Sequence, residues 1–421
     1  MNALASSETR SERATMPAFD RFLRGRLVGQ LAGITHGRLL LRDALGTLEL
    51  GTPSDLEVHV EVLDSAFYRM VAANGSVGAG EAYMDSLWRC DDLVALVRLL
   101  LRNRVLLDGM ETGLARLGSF ALRGWHALNR NTRAGSRRNI AAHYDLGNEF
   151  FKLFLSRDLM YSSAYWAKGD DLEAASARKL DTICRKLRLR PGDRVVEIGT
   201  GWGGFAIHAA RYYGCHVTTT TISCEQQALA CARVAEAGLG DRIDVRLDDY
   251  RDLDGRYDKL VSIEMIEAIG AEHLDVYFGM VGRLLKRDGL ALIQAITIED
   301  HRYRQALKSV DFIKRHVFPG SFIPSVSAML AAKTRASDLG LIELEDFGDS
   351  YARTLRAWRE RFLAHLPEVR AQGFDERFVR MWEFYLAYCE GGFLERSIGV
   401  GHLLLAKPGW RRAPARDWAC G

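Results

Sequence analysis

Glycines at 199, 201 and 204, within Val196-Glu-Ile-Gly-Thr-Gly-Trp-Gly-Gly204, have the spacing of a turn through which backbone can approach a nucleotide. Alone this signal is weak, because any tight strand-to-helix turn needs glycines. Its position after the apolar run Arg194-Val-Val-Glu-Ile198 favours a nucleotide-type cofactor. A dinucleotide site calls for an acid about 20 positions further on, to hold the ribose hydroxyls. Thr218 to Thr221 fill that place, and Glu225 comes later, where the next helix should open. Glu197, just before the turn, suits a cationic amino acid moiety. Asp248-Asp249-Tyr250, after the third strand, suits an adenine by hydrogen bonding and stacking. The set favours S-adenosylmethionine over NAD, although Asp248 or Asp249 reads equally well as a helix N-cap.

A second group of polar residues lies further along. Glu267 follows a strand in Ile263-Glu-Met-Ile-Glu-Ala268, where a carboxylate could serve chemistry or merely cap a helix; Glu264 reads as structural. Gln294 interrupts the apolar run Leu290–Ile298, and burying an amide without partners is costly, which favours a site at the strand's carboxyl end. Tyr351 by itself reads as a core tyrosine.

The elements that must position these residues alternate from Asp193 onward. Strands are expected at Arg194–Ile198, His216–Ile222, Ile243–Leu247, Lys259–Ile263 and Leu290–Ile298. Helices are expected at Gly204–Tyr213, Glu225–Ala237 and Leu274–Lys286. This order predicts an α/β fold, a mostly parallel sheet covered by helices on both faces. Residues 300–395 read as largely helical, broken at Phe318-Pro-Gly-Ser-Phe-Ile-Pro324. Towards the N-terminus, Gly37–Arg42 and Leu56–Val62 alternate like half-buried strands. Gly75-Ser-Val-Gly-Ala-Gly80 reads as a turn, and Leu93–Leu107, with Arg98, Arg102 and Arg104, as an amphipathic helix too interrupted to span a bilayer.

Several longer segments resemble those of cyclopropane-fatty-acyl-phospholipid synthases and their methyltransferase relatives. They are His143-Tyr-Asp-Leu-Gly-Asn148, Leu159-Met-Tyr-Ser-Ser-Ala-Tyr165, Glu197–Gly203, Ser262-Ile-Glu-Met-Ile-Glu-Ala-Ile-Gly270, Asp311–Gly320 and Trp382-Glu-Phe-Tyr-Leu-Ala-Tyr-Cys-Glu390. The resemblance runs from about residue 60 to 410, and Gly75–Met84 is similar to the small N-terminal domain of the bacterial enzymes. It implies a class I, Rossmann-like S-adenosylmethionine methyltransferase sheet with helical insertions. It also implies transfer of a one-carbon unit to the double bond of an unsaturated acyl chain. Cofactor contacts implied by position are Tyr161, Ser162, Gly199–Gly201, Thr221, Ile222, Gln226 and Tyr250. His143 matches a motif position and is left without a role.

Ring-closing members of the family are alike in holding a bicarbonate ion as base, through a cysteine, a glutamate, a histidine, a tyrosine and backbone. The glutamate corresponds to Glu267 and the tyrosine to Tyr351. Ser163 stands in the cysteine's place and Gln294 in the histidine's. Both can donate hydrogen bonds to an oxyanion, but neither supplies imidazole charge. Bicarbonate is therefore an open second cofactor. Without it, Glu267 is the carboxylate expected near the developing cation. Phe312, Ile313, Val317, Phe318, Phe322 and Ile323 offer one wall of an acyl slot, or ordinary core packing.

Composition narrows the partners. The 421 residues, 48% hydrophobic and 26% charged, are of ordinary globular make-up. With 57 Lys/Arg against 54 Asp/Glu, a globally basic nucleic-acid binder is not expected. Seven cysteines without a CxxC pair point to reduced thiols and to no metal site. The expected layout is a small N-terminal domain over 1–117, a basic linker over 118–139, a catalytic domain over 140–410 and a tail over 411–421. The expected partners are unsaturated phospholipid acyl chains, met by a cytoplasmic protein peripheral to the inner membrane face; a homodimer is compatible. Arg130–Arg138 and Leu93–Leu107 are the candidate membrane contacts. A methyltransferase of the same fold acting on a soluble small molecule, or an inactive lipid or cofactor binder, remains the alternative.

Overall fold

Alternation of buried Leu39 and Leu41 with outward neighbours gives the strand β1 (Arg38–Asp43), and the same period gives β3 (Glu57–Val62). The computed structural model describes residues 16–106 and 146–411; His143, the segment 118–139 and the chain after 411 lie outside them. Residues 16–106 belong to one compact unit and 146–411 to a second. In the first, helix α1 (Ala18–Leu31) precedes a four-stranded sheet in the order β2 (Gly46–Gly51), β1, β3, β4 (Trp88–Cys90). Helix α2 (Ala66–Met84) runs through the expected turn at Gly75–Gly80. Only Gly75 leaves helical geometry, at φ 57° and ψ −129°, a kink that glycine allows without a side-chain clash. Helix α3 (Leu93–Arg102) is amphipathic as expected, with Asp92 accepting from the Ala95 amide as its N-cap. Its apolar residues, including fully buried Leu99, pack inside its own unit. That face is therefore not available to a membrane, a correction to the expectation for Leu93–Leu107.

The second unit carries seven strands in the order β10 (Gly340–Asp346), β11 (Ile398–Ala406), β9 (Leu285–Ile298), β8 (Tyr257–Ile263), β5 (Arg194–Ile198), β6 (His216–Thr220), β7 (Ile243–Arg246). The strands from β9 to β7 are parallel, while β11 is antiparallel to both β9 and β10. Helices in the segment before β10 are α4 (Asn148–Lys152), α5 (Leu172–Lys186), α6 (Gly204–Tyr213), α7 (Cys224–Glu236), α8 (Leu274–Leu284), α9 (Asp300–Lys308) and α10 (Val326–Ala336). After β10 come α11 (Gly348–Ala364) and α12 (Glu376–Leu394). The strand β10 corrects the helical expectation for 300–395. Its Leu-Ile-Glu-Leu-Glu pattern is held by pairing with β11 and not by burial, since Leu341, Ile342 and Leu344 stay exposed. Glu343 and Glu345 on this edge both pair with Lys186.

Strand periodicity sorts side chains onto two faces. Val195, Val217, Val261 and Leu292 pack with Phe205, Ala206 and Ala209 of α6 and with Leu180 and Ile183 of α5. Val196, Leu260, Ala291 and Ile293 pack with Phe278 and Val281 of α8 and with Met329 and Ala332 of α10. Both faces are dry, as a parallel sheet requires. By the same period Glu197 shares its face with Val195, and Gln294 with Leu292, so both look toward the α5 side. The carboxyl ends of β5, β6, β8 and β9 therefore present polar groups where the strand order reverses, the crevice in which open α/β sheets bind ligands.

Candidate active site

The turn after β5 is closed by the amides of Gly199 and Thr200, which both donate to the Thr220 carbonyl at 3.1 and 2.9 Å. Gly201 follows at φ 51°, and a Cβ there would meet nothing within 4 Å, so the backbone faces open space. Glu197 is buried beneath the turn and accepts from the Thr219 hydroxyl at 2.6 Å. The Thr219 proton being used, Thr200 must donate to Thr219 across their 2.7 Å contact. Burial pushes the Glu197 carboxyl up to about 8, against the opposing pull of Thr219 and Lys179. Glu197 thus braces the turn from below instead of presenting a bare negative charge.

At the end of β6, Thr221 donates to the Gln226 side chain at 2.8 Å, and Ser223 caps α7 by accepting from the Gln226 amide at 3.2 Å. Ile222 lies half-buried between them. After β7, both Asp249 oxygens accept from Arg251, and the same carboxylate accepts the Arg251 amide. The capping alternative for Asp249 is the one realised. Tyr250 is buried with a hydroxyl that has no partner, and burial pushes it up to about 12. An open glycine turn, an orphaned tyrosine hydroxyl and a strand-end threonine–glutamine pair fit a nucleoside cofactor lying across β5, β6 and β7.

Tyr161, Ser162 and Ser163 lie outside the sheet and are brought to it by side-chain bonds. Tyr161 shares a 2.9 Å hydroxyl contact with Tyr385 of α12 and packs near Trp358 and Phe318. Ser162 accepts from the Lys179 ammonium at 2.6 Å. The Ser163 hydroxyl turns back to the Ala164 carbonyl, while its amide donates to Glu264 at 2.9 Å. Thr354 of α11 pins the following residues, accepting from the Ala164 amide at 3.1 Å and the Trp166 indole at 2.9 Å.

Glu264, read as structural from the sequence, is the hub. One oxygen accepts from the Ser163 amide and from Gln294 Nε2 at 2.8 Å; the other accepts from the Tyr351 hydroxyl at 2.7 Å. Gln294 is oriented in turn by His402 of β11, its register partner, whose Nε2 lies 3.1 Å from the Gln294 carbonyl oxygen. Burial holds His402 well below the usual imidazole range, so it is neutral and donates from Nε2. Glu267 accepts the Ile296 amide at 2.6 Å through Oε1, and its Oε2 is shut from solvent with no partner. Both glutamates are half-buried as residues, yet their carboxylates point inward. Burial, and then the charge of Glu264, push Glu267 up to about 8. Glu264 is also raised, by burial, against its three donors and Lys179. Such a pair shares one proton, with the better-solvated Glu264 ionised and Glu267 protonated.

Lys179 joins the two groups. It is completely buried, and burial lowers it to about 8, opposed by Asp158, Glu264 and Glu197.

Over residues 131–403 the chain matches the model of the family described as mycolic acid cyclopropane synthetase. The chain belongs to that family. It is 36% identical over 94% of its length to the tuberculostearic acid methyltransferase UfaA1 of Mycobacterium tuberculosis, 94% of which is covered. It is 37% identical over 83% of its length to the cyclopropane-fatty-acyl-phospholipid synthase of Escherichia coli, of which 87% is covered. The structure of the cyclopropane synthase MmaA2 from Mycobacterium tuberculosis superposes with a TM-score of 0.60 at 28% identity, covering 64% of this chain and 98% of that one. Membership makes the chain an S-adenosylmethionine-dependent methyltransferase of Rossmann-like class I fold, as the sequence motifs implied.

Lys179, Tyr385 and His402 escaped the sequence reading, and Glu264 was given the wrong weight. Lys179 interrupts the apolar stripe Leu172, Ala175, Ser176, Leu180, Ile183, and His402 interrupts Val400–Leu405; a polar residue on a buried face was the available signal. Of the suggested acyl wall, Phe312 packs on Phe384 and Phe322 enters the core below the sheet, while Phe318 stands beside Tyr161 and Tyr385. No helix among the described residues is long and apolar enough to cross a membrane.

Proposed function

We propose that the enzyme adds a one-carbon unit to the double bond of an unsaturated fatty acyl chain of a membrane phospholipid, giving a ring or a branched chain. The observation that carries this reading is the buried carboxylate pair Glu264 and Glu267, set among Tyr161, Tyr351 and Trp358 beside the glycine turn. The printed functions of the relatives, a fatty-acyl-phospholipid synthase and a lipid methyltransferase, support it.

S-adenosylmethionine supplies an electrophilic methyl group when bound. Tyr161, Ser162, Glu197, Gly199, Gly201, Thr221, Ile222, Gln226 and Tyr250 are the residues proposed to hold it, with Asp249 acting through Arg251. An alkene that captures a methyl leaves positive charge on a chain carbon. The faces of Tyr161, Tyr351 and Trp358 suit that charge without offering a nucleophile. A carboxylate held dry and pre-oriented stabilises the cation and accepts one proton. Ser163, Gln294 and Tyr351 orient the carboxylate, and the proton on Glu267 keeps the pair from carrying two repelling charges.

Access to lipid belongs to the same proposal. On α1, Phe19 and Phe22 are exposed, and Arg26 follows at helical spacing on the same face. Together with the basic segment Arg130–Arg138, this face suits peripheral docking on the inner membrane surface. Residues 1–117 are proposed as the docking domain, 140–410 as the catalytic one, and a homodimer as the assembly.

The test is incubation of purified enzyme and S-adenosylmethionine with vesicles of unsaturated phosphatidylglycerol. The expected result is S-adenosylhomocysteine together with acyl chains heavier by one carbon. Turnover of a dissolved small molecule with none on vesicles would refute the lipid assignment.

A further inference from the structure

We propose that Glu264 is the resident anion of this site: its carboxylate occupies the place the family resemblance assigns to bicarbonate and itself takes the substrate proton. The inference rests on the lipid reading above and names the base within it.

The donors decide the matter. The ligands the resemblance implies for bicarbonate are the groups at Ser163, Glu267, Gln294 and Tyr351 with backbone. In this chain the Ser163 amide, Gln294 Nε2 and the Tyr351 hydroxyl all donate to the two oxygens of Glu264, at 2.9, 2.8 and 2.7 Å. The backbone amide that remains, that of Ile296, donates to Glu267. A free oxyanion entering here would find its hydrogen bonds taken and a neighbouring carboxylate repelling it. The two departures at Ser163 and Gln294 then have a purpose: an amide side chain held by His402 donates to a carboxylate without bringing its own charge.

The backbone is an independent observation. Glu264 has φ +49°, one of few non-glycine residues in the left-handed region, where a side chain costs about 1–2 kcal/mol. A glycine would sit there without strain. The chain instead keeps a glutamate, and the left-handed backbone aims its carboxylate at the three donors.

The step balances without a further reactant. After methyl addition, one C–H bond beside the cationic carbon, or on the added methyl, breaks. Its electron pair forms the new C=C bond of a methylene branch or the closing C–C bond of a ring. The proton goes to a Glu264 oxygen. A saturated methyl branch would need a hydride donor and lies outside this chemistry.

The experiment compares wild type with Glu264→Gly in buffer stripped of carbon dioxide and again with added bicarbonate, using unsaturated phosphatidylglycerol vesicles. Wild type is expected to turn over equally in both. Glu264→Gly is expected to lose roughly a hundredfold or more without bicarbonate and to regain much of the rate with it. Wild-type activity that falls on depletion, or a variant as fast as wild type without bicarbonate, overturns the proposal. Carbon-13 line broadening of labelled bicarbonate reads the same site without turnover. The variant should broaden the signal and the wild type should not; broadening by wild type at this site, abolished by Tyr351→Phe, refutes the proposal even if no lipid is ever turned over. Absence of turnover on any lipid with the expected binding pattern would sink the lipid reading alone.

Discussion

Replacing Glu267 by glutamine should make the protein inactive and, in alkali, more stable. The carboxyl is held at about 8 where an exposed one titrates at 4.5, first by burial and then by Glu264. Between those values the native state keeps a proton the unfolded chain has released, so stability falls as pH rises through that window. At 1.36 kcal/mol per pH unit the full cost is on the order of 5 kcal/mol above the window. Glutamine has the same shape and keeps the oxygen that accepts the Ile296 amide, but it has no proton to lose. The urea midpoint of wild type should therefore drop by more than that of Glu267→Gln between about pH 6 and about pH 9, by several kcal/mol once multiplied by the m-value. Other raised groups, Glu197 among them, act on both proteins and cancel in the comparison. Turnover should fall by roughly a hundredfold or more, with S-adenosylmethionine affinity little changed. Parallel loss of stability in the two proteins would show that Glu267 is not held protonated. Equal loss of turnover and cofactor affinity would show a merely structural role.

Lys179→Met removes the one cation near Glu264 and Glu197, so the acidic limb of the kcat/KM profile should move to higher pH; an unmoved limb would separate Lys179 from the carboxylates. The same variant leaves Ser162 without its donor and should weaken S-adenosylmethionine binding, measurable by calorimetry. Thr354→Val strands the Ala164 amide and the Trp166 indole N–H. At about 1–3 kcal/mol for each orphaned donor, urea unfolding should register a loss of roughly 2–5 kcal/mol, which Thr354→Ser recovers.

How much the sequence disclosed follows from range. Strands β5 to β9 were legible because each buries both faces in one continuous apolar run, and the turn at 199–204 because its glycines are local. Helix α8 stops at Leu284, ahead of the expected Lys286, because β9 already pairs Leu285 with Tyr257. The strand β10 was missed because its stability comes from β11, far along the chain. Glu264 was undervalued for the same reason: its donors come from residues 163, 294 and 351, and no local pattern announces a three-way meeting. Tyr161 and Ser162 were found only by family resemblance, since they reach the sheet through Tyr385 and Lys179 and not through any strand.

The edge strand β10 bears on how the protein behaves in the test tube. Its outer backbone is unpaired, and Leu341, Ile342 and Leu344 are bare on it, which makes it a template onto which a second chain could zip. Glu343, Glu345 and Asp346 act as gatekeepers, because two like edges cannot align without bringing these charges together. Acid titrates the gatekeepers away, so precipitation on low-pH columns, or in acidic crystallisation drops, is the failure this edge invites.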